Sequence, residues 1–247
     1  MPPDGAAEAI ARLLVKLRLR DRVTEHEASV LRGAIDRIVD HPAGQVLVSE
    51  GAPLTFSILL IDGFVARFKD LAEGQRQITE LHVAGDFVDL HGYLLKRLEH
   101  SICALTPVRI AIVPHAALTA ITESEPHLTR MLWLSTQMDA AIQRERILSL
   151  GRRTAVARVA HVICELFHRL KIIGMVDGTS FALPITQVDL ADATGLTPVH
   201  VNRMLGRLRN ERLLTFRGGI AQIHDLAGLE ERAEFDPAYL FMSAARR

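Results

Sequence analysis

The stretch TQVDLADATGLTPVHVNRML, residues 186–205, decides the fold of the C-terminal part of the chain. Thr186 and Asp189 have the spacing of a capping box, which starts a helix. Gly195 can adopt the left-handed conformation that ends a helix. Thr197, followed directly by a proline, is typical of a second helix start. The pattern therefore predicts two short helices joined by a tight glycine corner.

The apolar residues of this stretch are spaced for close helix crossing. Ala191 leaves room for a second helix beside Leu190, and Val201, Leu205 and Leu208 repeat at helical spacing. The polar residues left on or beside the opposite side are His200, Asn202, Arg203 and Arg207. This is the pattern of a helix-turn-helix, whose second helix enters the DNA major groove. An ordinary corner between two packed helices is the alternative.

Positive charge is concentrated just after this corner, although the formal net charge of the chain is zero. From Arg203 to Arg217 there are five arginines and one acid, Glu211. Such a segment indicates phosphate binding, whereas a solvated helix face usually mixes the two signs. The following letters RLLTF, RGG and IAQI predict a hairpin with Arg217 beside its tip. It is either the phosphate-contacting wing of a winged helix or a cover over the core.

The composition bounds the class of protein. A chain of 247 residues allows one large domain or two ordinary ones, and 49% hydrophobic residues support a sizeable core. Aromatic residues make up only 5%, which argues against a carbohydrate cleft. MPPDGAAEAI does not have the pattern of a signal peptide, and the longest apolar run, Phe56–Ile61, is too short to cross a bilayer. We expect a soluble cytoplasmic protein without a membrane partner.

The middle of the chain predicts a small β structure. Between His41 and about His115 the apolar period drops toward two and glycines recur. The predicted strands lie within QVLVSEG, FSILLIDGFVARFKDL, RQITELHVAGDFVDL and SICALTPVRIAIVPH. Short strands at this spacing favour a barrel or a double-layered roll. Two amphipathic helices are predicted before it, at 8–20 and at about 24–39.

A long helix is predicted over about 125–150, where a serine and a proline mark its start. Its apolar stripe comprises Met131, Leu134, Met138, Ile142 and Leu148. A helix this long exceeds the width of a small roll, so we expect it to pair with a second copy of itself. The alternative is a core helix that lies along the roll. We place the domain boundary at Gly151, between an effector-sensing domain (1–150) and a DNA-binding domain (151–247).

The chain resembles the Crp/Fnr family of transcription regulators from about Gly44 to Ile223. The resemblance rests on the glycine-punctuated roll, the GDFVDL segment, the long helix and, most specifically, TQVDLADATGLTPVHVNRMLGRLRNERLL with its wing. Membership implies an α+β fold: a β-roll like a cyclic-nucleotide-binding domain, a long dimerisation helix and a C-terminal winged helix-turn-helix. It also implies a homodimer that binds a palindromic operator in double-stranded DNA, acts on RNA polymerase and responds to a signal at the roll.

The resemblance also implies roles for single residues. Arg203 matches the recognition-helix arginine that reads guanine, and Gln187 matches a phosphate-contacting position. Pro198 and Val199 stand where the cyclic-AMP-binding members carry an Arg-Glu pair, so the operator should differ from theirs. The expected base-reading residues are Arg203, His200, Asn202 and Val199. The expected phosphate contacts are Thr186, Gln187, Thr197, Arg207 and Arg217.

The roll departs from the nucleotide-binding pattern of the family. Gly85 and Asp86 begin the relevant segment, but His100 and Ser101 stand where the binders carry Arg-Ser or Arg-Thr. Without the arginine there is no bidentate clamp on a cyclic phosphate, so we do not expect cyclic AMP to bind in the family manner. These four residues remain the candidate pocket for an unknown small-molecule effector.

Other cofactors are not expected from the sequence. The two cysteines, Cys103 and Cys164, lie in apolar surroundings and are too few for the iron–sulfur cluster of the oxygen-sensing members, which needs four. One segment holds the acids and histidines Asp86, Asp89, His91 and His100. They fall on a strand end and a helical turn, so we expect no metal site. We find no haem-attachment or nucleophile motif, and we expect no catalytic residues.

Two functions outside this class stay open. A ligand-binding module could regulate a protein partner without touching DNA, but it would not need arginines around a capped helical corner. An enzyme with a metal in the segment from Asp86 to His100 would carry stoichiometric metal after purification.

Overall fold

The computed structural model describes residues 3–241, which divide into two compact units. The first contains the chain up to Phe68 together with Leu81–Ala140, and the second contains Lys69–Glu80 and Ala141–Phe241. Gly151, where we expected the boundary, lies inside a helix that ends at Arg152. The two units divide after Ala140, which lies inside the same helix.

Helices flank a run of strands in the first part of the chain. In order, the elements are α1 (Ala6–Arg18), α2 (Glu25–Gly33), β1 (Arg37–His41), β2 (Val46–Val48), β3 (Phe56–Asp62), β4 (Val65–Asp70), β5 (Arg76–His82), α3 (Gly92–Leu95), β6 (Ser101–Ala104), β7 (Val108–Pro114), α4 (His115–Ser124) and α5 (Pro126–Arg152). The predicted strands and the long helix are confirmed.

The rest of the chain is mainly helical around a small sheet. Its elements are α6 (Ala155–Ile172), β8 (Ser180–Ala182), α7 (Gln187–Thr194), α8 (Pro198–Asn210), β9 (Leu214–Arg217), β10 (Ile220–Ile223), α9 (Leu226–Ala233) and a 3-10 turn (Pro237–Leu240). The predicted α+β class, with a β-rich N-terminal domain and a C-terminal helix-turn-helix, is confirmed.

Two antiparallel sheets form the roll, with strand orders β1-β7-β3 and β2-β6-β4-β5. On β3, Ile58 and Leu60 join a buried cluster with Val65 and Ile102 from the other sheet. Their neighbours on the opposite face of β3, such as Leu59, pack in a second cluster with α1 and α2. Because β3 is covered on both faces, its sequence is a continuous apolar run instead of an alternating one.

The helix expected over about 24–39 is wrong in its last part. Helix α2 ends at Gly33, and Arg37–His41 forms β1, which pairs with β7. Ile38 and Val39 are β-branched and gain a hydrogen-bonded partner strand, which outweighs the helical spacing of the apolar residues. Helix α4 was not predicted as a separate element.

The second unit has the layout of a winged helix. Helix α6 packs against α7, α8 and α9, and the sheet order is β8-β10-β9. The hairpin of β9 and β10 turns at Gly218 and Gly219, whose φ angles are 60° and 73°. Arg217 pairs with Ile220 directly at this turn, so the predicted hairpin is confirmed.

A buried ionic cluster joins three elements of the second unit. Glu165 of α6 accepts hydrogen bonds from Arg146 of α5 (3.4 Å), Arg169 of α6 (3.1 Å) and the hydroxyl of Tyr239 (3.1 Å). Burial would raise the pKa of Glu165, but the two guanidinium groups hold it below its usual value. The carboxylate thus stays charged and fixes the end of α5 and the 3-10 turn on α6.

The first turn of α5 is tied to the N-terminal helices through His127. Its Nδ1 lies 2.5 Å from Glu27 Oε1, and its Nε2 lies 3.4 Å from Asp21 Oδ2. The hydrogen bond to Glu27 is the main reason why the pKa of His127 is raised. In residues 3–241, none of these helices has the length and apolar character that crossing a bilayer requires.

We expect His127 to make the stability of the protein depend on pH. A raised pKa in the folded state means that His127 stabilises the fold fully below the unfolded value of about 6.5, and that this contribution is lost as the pH rises through the folded pKa. The loss of unfolding free energy caused by His127→Gln should therefore shrink from pH about 6 to about 8 in chemical denaturation. His41→Gln is the control, and an equal, pH-independent loss for His127→Gln would contradict this role.

Candidate DNA-binding interface

The first helix of the predicted corner begins at a complete capping box. The Thr186 hydroxyl accepts a hydrogen bond from the Asp189 amide (3.1 Å), and Asp189 Oδ2 accepts one from the Thr186 amide (2.9 Å). Helix α7 ends at Gly195, which has a φ of 62° in the left-handed region. Both predicted features are present.

The second helix begins two residues later. The Thr197 hydroxyl accepts a hydrogen bond from the His200 amide (3.2 Å), and Pro198 occupies the first turn. Val201 and Leu208 are fully buried on the inner side of α8. The exposed side of α8 is therefore the opposite one.

The candidate base-reading residues lie on or beside that exposed side. Val199 is 81% exposed, Asn202 and Arg203 are exposed, and His200 is half-buried. Asn202 Nδ2 donates a hydrogen bond to Gln187 Oε1 of α7 (3.2 Å). Arg203 makes no hydrogen bond or ion pair within residues 3–241, so its guanidinium has all its donors available.

The candidate phosphate contacts differ in how free they are. Thr186, Thr197 and Arg217 are exposed, and Gln187 is half-buried. Arg207 instead donates its Nε–H to Glu211 Oε1 (2.8 Å) one turn later. The other oxygen of Glu211 accepts from Arg232 of α9 (3.1 Å). The single acid in the basic segment thus binds an arginine from each of two helices, and the four-residue spacing of Arg207 and Glu211 could have revealed the first of these two pairs.

The long helix exposes a different stripe from the predicted one. Met131 and Ile142 are each 4% exposed and belong to the interior of the protomer. Leu134 and Met138 are half-buried, and Leu148 is 48% exposed. The large apolar side chains missed by the sequence are Trp133 and Ile147, which are 66% and 70% exposed. They mark an outward face that also contains Gln137, Ala140 and Arg144.

The candidate effector residues already have partners within the first unit. Lys16 of α1 lies 2.5 Å from Asp86 Oδ1, and the Val83 amide donates to Asp86 Oδ2 (2.9 Å). A Cβ at Gly85 would come within 2.8 Å of the Arg12 backbone, so α1 lies directly on this segment. Ser101 Oγ accepts a hydrogen bond from the Glu50 amide (3.0 Å), and His100 Nδ1 lies 3.1 Å from Glu99 Oε1.

The interior of the roll holds a buried arginine that the sequence did not reveal. Arg67 of β4 is 1% exposed, donates Nε–H to the Val88 carbonyl (2.6 Å) and reaches Asp139 Oδ2 of α5 through Nη2 (2.9 Å). Nearby, Asp89 Oδ1 accepts the Ile58 amide (2.7 Å), and burial raises the pKa of Asp89 to about 7. Burial also lowers the pKa of His91 to about 4.

Neither metal nor thiol chemistry gains support from these positions. Within residues 3–241, no three side chains of histidine, cysteine, aspartate or glutamate are grouped for a metal ion. Cys103 and Cys164 are buried, reduced thiols, as predicted. Burial raises the pKa of Cys164.

Two family comparisons cover most of the chain. Residues 157–232 match the family described as Crp-like helix-turn-helix domain, and residues 38–125 match the cyclic nucleotide-binding domain. A β-roll, a long helix and a capped helix-turn-helix with a wing define a DNA-binding transcription regulator. The chain belongs to the Crp/Fnr family.

Individual proteins agree with this placement. The chain is 27% identical over 213 residues to the fumarate and nitrate reduction regulatory protein of Yersinia pestis, which covers 85% of this chain and 84% of that one. The structure of FixK2 from Bradyrhizobium japonicum is similar with a TM-score of 0.69 and 23% identity, over 79% of this chain and 96% of that one. A CRP/FNR-family regulator from Thermus thermophilus gives a TM-score of 0.64 and 24% identity, over 81% and 99%.

A side chain at Gly195 should destabilise the corner. Its positive φ strains any L-residue, and a Cβ would lie 3.3 Å from Leu150 Cδ2, so Gly195→Ala should lower the unfolding free energy by about 1 kcal/mol or more. Gly206, in the middle of α8, has open space around it. Gly206→Ala should raise the unfolding free energy by roughly 0.5–1 kcal/mol. Equal effects of the two changes in urea denaturation would refute the proposed strain.

Proposed function

We propose that the chain acts as a homodimer that reads a palindromic operator through two copies of α8, placed in successive major grooves about 34 Å apart. A signal at the roll alters the packing of the paired α5 helices, and the bound dimer recruits or blocks RNA polymerase. The observation that carries the proposal is the exposed guanidinium of Arg203, unpaired within residues 3–241, on a helix capped at its N-terminus. Regulation without catalysis accounts for all of these features.

In this proposal Arg203 reads a guanine in the major groove. A planar guanidinium with free donors can bond O6 and N7 of guanine together, which is the commonest specific contact to DNA. Asn202 offers an amide beside it, oriented by the bond to Gln187. His200 and the exposed Val199 lie in the first turn of α8, where side chains reach base edges.

The proposed phosphate contacts lie around the proposed base-reading residues of α8. Thr186 and Gln187 begin α7, Thr197 begins α8, and helix N-termini attract phosphate oxygens. Arg217 extends from the wing. Arg207 can join them while keeping its bond to Glu211 through the remaining guanidinium donors.

Arg203→Ala should cost about 1–3 kcal/mol on the true operator and relax the preference at one base pair, because a bidentate base contact is lost. Selection of bound duplexes from a random pool, followed by affinity measurement on the selected site, checks both effects. An unchanged base preference would exclude a reading role for Arg203.

Arg217→Ala is the matched comparison, because it removes the same side chain from the wing. It should weaken binding evenly across sequences and reduce the slope of log affinity against log salt by about 1 per site. A change in base preference after this substitution would show that the wing reads sequence.

We propose that dimerisation uses the exposed stripe of α5. Trp133, Ala140 and Ile147 follow one another at intervals of seven residues, the period that two paired helices share. Leu148 and Met138 flank this stripe. Apolar side chains of this size, left exposed on one helix face, are typical of a surface that a second subunit covers.

Ile147→Glu should convert the dimer to a monomer, because two carboxylates would be buried in an apolar seam. The dissociation constant of the dimer should rise by about 100-fold or more. Sedimentation equilibrium measures it. The control is Leu94→Glu, which changes a side chain that is 77% exposed on the roll. Dimers of unchanged stability after Ile147→Glu would exclude this seam.

The residues of the roll do not fit a cyclic nucleotide held in the family manner. Lys16 and the Val83 amide already occupy both oxygens of Asp86, and Ser101 accepts the Glu50 amide. No arginine stands at position 100 to clamp a cyclic phosphate. We therefore propose a different effector class for this roll. The two cysteines of the chain also argue against an iron–sulfur cluster.

A further inference from the structure

The β4–β5 hairpin contributes an arginine to the second unit. Arg76 belongs to residues 69–80, which group with the helix-turn-helix and not with the rest of the roll. Its Nε–H donates to Asp192 Oδ2 (2.7 Å), and its Nη2 donates to Asp189 Oδ1 (2.8 Å). The next residue, Gln77, donates from its side chain to the Asp192 carbonyl (2.6 Å). The hairpin thus holds α7 through one forked guanidinium and one amide.

Asp189 passes this contact on to the start of α7. While Oδ1 accepts from Arg76, Oδ2 accepts from both the amide and the hydroxyl of Thr186 (2.9 and 2.7 Å). Thr186 and Gln187 are the residues of α7 that we expect next to phosphate. Arg76 therefore fixes the orientation of the carboxylate that caps the DNA-facing end of the helix.

Charge gives the contact a second consequence. Helix α7 contains two carboxylates, Asp189 and Asp192, and no basic residue. Both lie within two turns of the helix end that we expect next to phosphate. The distance from these carboxylates to a bound phosphate would be about one Debye length, so the two negative charges would still repel each other. Arg76 supplies a positive charge between them. Without it, the acidic side of α7 would oppose the approach of DNA.

We infer that Arg76 is a positioning residue for DNA binding, although it lies outside the helix-turn-helix sequence. It orients Asp189 for capping and cancels acidic charge on α7. The inference goes beyond the base and phosphate contacts proposed above and rests on the proposed approach of phosphate to Thr186.

The test compares four full-length variants by fluorescence anisotropy with a labelled generic duplex at several salt concentrations. Arg76→Gln should weaken binding roughly three- to ten-fold at low salt, and the difference should shrink as salt screens the carboxylates. Arg76→Lys keeps the charge but loses the fork, so its affinity should lie in between. Arg37→Gln is the control, because this substitution removes the same charge from a different place. Among the described residues, Arg37 pairs only with the neighbouring Asp36.

Charge rescue separates this role from a purely structural one. Adding Asp192→Asn to Arg76→Gln removes the uncompensated carboxylate and should restore at least half of the lost binding free energy. If the double variant binds no better than Arg76→Gln, or Arg76→Gln binds like the unchanged protein, the inference is overturned. If the unchanged protein shows no salt-dependent binding to any duplex, the proposed DNA interface itself fails, which is a distinguishable result.

Discussion

The angle between α7 and α8 depends on a single left-handed residue. Helix α7 must stop abruptly, because Thr197 caps the next helix two residues after Gly195. The carbonyl of Thr194, left open at this end, accepts a hydrogen bond from Arg158 of α6 (2.8 Å). A corner closed in this way lets Val201 turn inward, so that α8 presents its polar side to the solvent. The exposed polar side of α8 is therefore a consequence of backbone geometry at the corner.

Buried charge fixes the platform beneath that corner. Helix α6 is lined by apolar residues, yet Glu165 lies among them at 1% exposure. Removing one partner from a buried ionic group leaves an uncompensated charge, so such a group tolerates few alternative arrangements. Arg146, Arg169 and Tyr239 must keep their positions together. His161 completes this region as a neutral ring, because burial lowers its pKa to about 3. If these helices were held by apolar packing alone, a shift of one helix along another would cost less free energy.

The features that the sequence predicted correctly are the local ones. The caps at Thr186 and Thr197 and the corner at Gly195 involve residues at most four positions apart, so their spacing is visible in one short segment. Strand β1 was missed because its pairing with β7 is a distant contact that competes with a local helical pattern. The predicted stripe of α5 includes Met131 and Ile142, which the protomer itself buries, since periodicity gives the spacing of a face but does not distinguish the side that packs inside the protomer.

The site residues that the sequence could not predict are polar pairs between distant positions. Arg76 and Asp189 are separated by 113 residues, and Lys16 and Asp86 by 70. A single sequence contains no trace of such a pair, because nothing in the local pattern around one member points to the other. The basic segment could be predicted from the sequence only because its arginines are close together along the chain, in one helix and in the hairpin that follows it.

The roll shows how a domain of this family can satisfy its polar groups from its own chain. A cyclic phosphate needs buried positive charge, and here Arg67 supplies buried positive charge that pairs with Asp139 and donates a hydrogen bond to the Val88 carbonyl. Since Asp139 belongs to α5, moving it away would break a buried ion pair, at a cost of several kcal/mol. The rotation of α5 about its axis is therefore restrained at this point by the inside of the roll. Any change in the packing of α5 has to offset that restraint, or it has to leave Asp139 in place.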